Sequence, residues 1–91
     1  MPTLSPMLKR KLFLEAGDYE TCHILIRDTQ ERVAAIEVNQ NLYSFFKTVR
    51  DREKALDLLG KLYDKGNEAV ITQTPKVYAL WVLENNASRL N

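Results

Sequence analysis

A chain of 91 residues, 45% hydrophobic and 27% charged, has room for one domain and not two. Its 13 basic and 12 acidic side chains leave a net charge of +1, which argues against the broad basic surface that drives non-specific DNA or membrane binding. The longest apolar runs, such as Tyr78–Leu83, fall far short of the ~20 residues needed to cross a bilayer.

Residues 1–7 read as a loose N-terminal arm with no apolar leader. Cys22 is the one cysteine, so no intrachain disulfide can form. Both features set the expectation of a cytoplasmic protein.

Residues 8–84 read as a single α+β domain. Lys9–Leu14 is the first strand candidate, followed by a turn at Gly17-Asp18. Glu20–Arg27 sends Cys22, Ile24 and Ile26 to one face and Thr21, His23 and Leu25 to the other. Asp28–Glu31 is a polar connection, Arg32–Val38 a third strand, and Asn39-Gln40-Asn41 a turn whose asparagines tolerate left-handed dihedrals. Leu42–Thr48 is the fourth strand. The short turns predict an antiparallel meander for the second to fourth strands.

The period then changes. Ala55, Leu56, Leu59, Leu62 and Tyr63 recur at helical spacing within Val49–Lys65, with Leu58 widening the stripe. Thr48, three residues before Asp51, suits a capping arrangement, Asp57 and Lys61 form an i,i+4 pair, and Gly66 is placed to end the helix. Glu68–Gln73 and Val77–Glu84 return to strand spacing. Both faces of the last strand are apolar, Val77, Ala79, Trp81 and Leu83 against Tyr78, Leu80 and Val82, which predicts a central position. Residues 85–91 read as a frayed tail. The expected architecture is an antiparallel sheet of five to six strands with one helix on it, in the order four strands, helix, two strands.

One helix covers roughly two strands of such a sheet, because a helix is ~10 Å wide and strands lie ~4.8 Å apart. The remaining apolar side chains must be hidden by curling the sheet, by pairing two copies as a homodimer, or by binding a partner.

Catalytic signals are thin. Cys22 and His23 are adjacent in a strand, so their side chains point to opposite faces and cannot act together. No second cysteine or histidine exists to complete a zinc site, and no phosphate-cradling glycine pattern or serine elbow is present. The sequence therefore predicts no enzyme and no cofactor.

The richest cluster is Tyr43 to Lys54. Alternation sends Tyr43, Phe45 and Lys47 to one face and Phe46 to the other, with Arg50, Arg52 and Lys54 following at the helix start. Tyr43, Phe45, Lys47, Arg50 and Arg52 are the candidate surface. Two readings arise. The first is a protein-interaction module that presents an uncovered sheet face to a partner or to its own twin. The second is binding of single-stranded nucleic acid, with rings stacking on bases and cations meeting phosphates. Four strands followed by a helix over residues 9–65 is similar in element order to the repeat of the PUR-α and Whirly group of single-strand-binding proteins, which implies the second reading. No residue motif carries that likeness, and the Glu68–Glu84 hairpin departs from it.

Overall fold

The computed structural model describes residues 12–91, so the N-terminal arm and the first half of the first strand candidate lie outside the described residues. Among the described residues the chain is α+β, with one helix packed on one mostly antiparallel sheet. The strands are β1 (Phe13–Leu14), β2 (Glu20–Ile26), β3 (Glu31–Val38), β4 (Asn41–Val49), β5 (Ala69–Gln73), β6 (Tyr78–Leu83) and β7 (Ala87–Arg89). The helix α1 (Arg52–Asp64) falls between β4 and β5.

The spatial order is β1-β5-β6-β4-β3-β2-β7. The meander β2-β3-β4 forms as the turns predict, and β6 is central between β5 and β4. The two-residue turn Asn39-Gln40 has positive φ at both positions, 51° and 70°, the backbone that matches the twist of paired strands. Two elements depart from expectation. The first strand pairs in parallel with β5 at the far edge, Phe13 opposite Ile71, and does not touch β2. Residues 87–89, expected to fray, add a seventh strand to β2, with Ile26 opposite Ala87 and Ile24 opposite Arg89. Leu90 N–H donates to the His23 carbonyl and Arg27 N–H to the Asn86 carbonyl, so this polar tail is held by backbone bonds that composition does not reveal.

Sheet and helix meet through a narrow stripe. Ala55, Leu59 and Leu62 of α1 bury against Ala69, Ile71 and Leu80, while Leu56 and Tyr63 stay exposed. Asp51 is the N-cap: its Oδ1 accepts from Glu53 N–H at 3.0 Å, so Thr48 is not the capping residue. Gly66, at φ 89°, ends the helix in the left-handed region as predicted. Asp57 and Lys61 pair at 3.3 Å.

The sheet is open, because its edge strands β1 and β7 do not pair. Part of its other face is covered by the link between β1 and β2, which leaves Phe45 exposed. That link runs from the first to the sixth place in the sheet, about 24 Å across a flat sheet. The six Cα steps from Leu14 to Glu20 span at most ~21 Å. The link can therefore make this crossing only because strands twist and the sheet is not flat. The link turns tightly, with Asp18 N–H donating to the Glu15 carbonyl at 2.9 Å and Gly17 at φ 100°. It brings Tyr19 and Leu14 onto Ile36, Tyr43 and Val70 in a second core. A third cluster joins Cys22, Ile24 and Ala35. Each large apolar side chain hidden this way contributes about 1.5–3 kcal/mol.

Candidate interaction surface

The surface is set by an irregularity in β4. This strand follows β6 along its length, from Tyr43 opposite Leu83 to Val49 opposite Tyr78, but the register shifts between Phe45 and Lys47. Phe45 stands opposite Trp81 and Lys47 opposite Leu80, so Phe46 is an extra residue with no partner in β6. A bulge of this kind bends the strand and raises its twist. The consequence appears on the other side of β4. Pairing with β3 covers only Asn41–Ser44, and ends where Ser44 meets Ala35. Beyond that point β4 leaves β3, although β3 continues to pair with β2 as far as Glu31 opposite Ile26. The sheet is split, and Phe45–Val49 has an edge with no strand beside it among the described residues.

Two phenylalanines occupy this edge. Phe45 is 45% exposed and Phe46 47% exposed. Phe45 is steadied edge-on by Trp81, ring centroids 5.4 Å apart at 75°. Trp81 is itself fixed, its Nε1–H donating to Thr72 Oγ1 at 2.9 Å. The ring pair is therefore a firm platform and not a loose side chain.

The bulge corrects the predicted faces. Lys47 pairs with Leu80, whose side chain packs under α1, so Lys47 lies on the helix side of the sheet and not beside Phe45. There it joins Val49, Arg50, Lys54 and Leu58 around a cleft of about 500 Å³ between β4 and the start of α1. Among the described residues Lys47, Arg50 and Lys54 have no ion pair. Asp51 and Asp57 also line the cleft, but one caps the helix and the other pairs with Lys61.

The structure separates the other candidates. Tyr43 is 2% exposed and belongs to the second core, with its hydroxyl donating to Glu68 Oε2 at 3.3 Å. It cannot offer a ring to a ligand. Arg52 lies over the Phe13 ring, 4.2 Å from the centroid, and pins the helix start to β1. Arg52 is exposed but engaged there, so Phe45, Lys47 and Arg50 remain at the split, with Phe46, Trp81 and Lys54 added to them. The sequence does hold a signal for the bulge: Phe45-Phe46-Lys47 breaks the alternation of a strand with one wet face.

Cys22 and His23 stand as expected on opposite faces, Cys22 buried and His23 exposed. Burial raises the Cys22 thiol pKa; the Arg89 charge opposes this, and Glu37 and Glu20 add to it. Arg89 bridges those carboxylates at 2.5 Å to Glu37 and 3.0 Å to Glu20, and these bonds raise its own pKa. No group of three or more metal-ligating side chains occurs among the described residues, nor any helix long and apolar enough to cross a membrane.

No protein-family model, curated protein or solved structure matches the chain. The likeness to single-strand-binding repeats thus stays one of element order alone.

Proposed function

We propose that the protein is a non-catalytic interaction module of the cytoplasm that binds a partner protein at the split between β3 and β4. The observation that carries this reading is the pair Phe45 and Phe46, both nearly half in water on a strand edge without a neighbouring strand among the described residues. Exposed strand edges attract other chains, and folded proteins usually blunt them with charge or proline. Here the edge carries two exposed rings beside a single cation, Lys47. The back-to-back placement of Cys22 and His23 supports the absence of catalysis.

Nucleic-acid binding has less support. It asks for rings and cations along one groove. Tyr43 is buried, and Phe45 and Lys47 face opposite sides of the sheet.

The test is affinity capture from a cell extract with the native chain and with the Phe45→Glu/Phe46→Glu variant. The native chain should retain proteins that the variant loses while keeping its circular dichroism. An identical retained set would remove the reading.

A further inference from the structure

The chemistry on either side of the split says what kind of segment fits it, and this inference rests on the interaction reading above. Three observations converge. First, residues 45–49 of β4 keep β6 on one side and have no strand on the other among the described residues, so every second backbone N–H and C=O on that side points toward the gap. Backbone groups in that row are satisfied best by another extended chain. Second, the side-chain environments flanking the row differ. On one face Phe45 and Trp81 form a ring platform. On the helix face Lys47, Arg50 and Lys54 gather around the cleft without ion pairs among the described residues. Third, the two carboxylates of that cleft are already engaged, Asp51 by the helix N-cap and Asp57 by Lys61. The cleft lining carries three cations against these two carboxylates, an excess of one positive charge.

We propose that the partner contributes an extended segment of alternating acidic and apolar residues, which adds as a strand along Phe45–Val49. Alternation matters because successive side chains of a strand point to opposite faces. The apolar set of the incoming strand rests on Phe45 and Trp81. The acidic set reaches Lys47, Arg50 and Lys54. A second copy of this chain is the poorer fit, because its own open edge presents Lys47 and would set cation against cation. A polyanion such as nucleic acid meets the three cations but leaves the backbone row and the rings on the other face unused.

The experiment uses the full chain and a fluorescein-labelled octapeptide of alternating glutamate and valine. Alternating lysine–valine and oligothymidylate serve as competing probes. Fluorescence anisotropy gives affinity, and amide hydrogen exchange at saturation gives the place of contact. The glutamate–valine peptide should bind at least tenfold tighter than the lysine–valine peptide. The Lys47→Glu/Arg50→Glu variant should weaken it at least tenfold, and amides within residues 45–49 should become protected. Both side chains are exposed, so the variant keeps its fold. Equal binding of the two peptides, or binding that leaves residues 45–49 unprotected, would overturn the proposal. Tighter binding of oligothymidylate, lost in the same variant, would overturn it in favour of nucleic acid. A dimer in light scattering that buries residues 45–49 would overturn it in favour of self-association. The two failures are distinguishable in affinity capture. Proteins lost by Phe45→Glu/Phe46→Glu but kept by Lys47→Glu/Arg50→Glu would leave the interaction site standing and sink only the acidic segment.

Discussion

Lys47 stands opposite Leu80, one place out of the alternation that begins with Phe45 opposite Trp81. That single shift moves a cation to the helix side of the sheet and leaves Phe46 without a partner. It also accompanies the parting of β4 from β3. The proposed interaction surface lies where β4 keeps β6 and parts from β3.

Phe45 and Phe46 should matter for binding and little for folding. Changing both to glutamate removes one edge-on ring contact and no fully buried side chain. The expected stability loss is about 1–2 kcal/mol, read from a urea unfolding curve. A larger loss would mean that the rings are core and not surface.

Tyr43 should behave in the opposite way. It is 2% exposed among Leu14, Ile36 and Val70, beneath the link that joins the edge of the sheet to β2. Tyr43→Ala should cost about 3–5 kcal/mol by leaving a cavity. The urea midpoint measures it. A change below about 1 kcal/mol would mean that the link does not seal this core.

Much of this was legible in the sequence, and the reasons for success and failure are physical. The meander, the helix, the central place of β6 and the terminating Gly66 follow from local periodicity and turn chemistry. The parallel pairing of Phe13 with Ile71 does not, because it joins residues 58 apart and two residues carry no period. Ala87–Arg89 looks like a polar tail, since its strand is made by backbone bonds to β2 and by Arg89 between Glu20 and Glu37. Tyr43, Phe45 and Lys47 fell on one face by simple alternation, and the bulge broke that rule between the second and third. Of the five candidate residues, Phe45, Lys47, Arg50 and Arg52 reach the surface, Arg52 lying over the Phe13 ring at the join between helix and β1, while Tyr43 serves the core.

Removal of residues 87–91 should therefore destabilise the fold, not trim a loose end. The ladder to β2 and the bond from Leu90 to His23 are lost together. Backbone bonds of about 1 kcal/mol each give an expected loss of about 2–4 kcal/mol. Unchanged thermal melting of the truncated chain would show the strand to be ornamental.

The Cys22 thiol gives a pH-dependent prediction. Burial holds its folded pKa above the ordinary thiol value. The folded state thus keeps a proton that the unfolded state gives up, so folding stability from this group is complete below the ordinary thiol pKa. It falls as pH rises through that value and levels off above the raised one. Relative to a Cys22→Ala variant, the native chain should lose stability as pH rises through the alkaline range in urea titrations. Reaction with a disulfide reagent should also be at least about tenfold slower in the native chain than in denaturant, since only an accessible thiolate reacts. Equal rates in the two states would place Cys22 at the surface.

Among the described residues β4 has an open edge beyond Ser44, and residue-resolved amide hydrogen exchange on the free chain is the sharpest check of it. Ladder-bonded amides in residues 42–44, which lie between β3 and β6, should exchange slowly. Amides in residues 45–49 that face the gap should exchange nearly as fast as those of the exposed turns, while their neighbours bonded to β6 stay slow. Uniformly slow exchange through residue 49 would mean that the edge is closed, and the interaction surface proposed at the split would go with it.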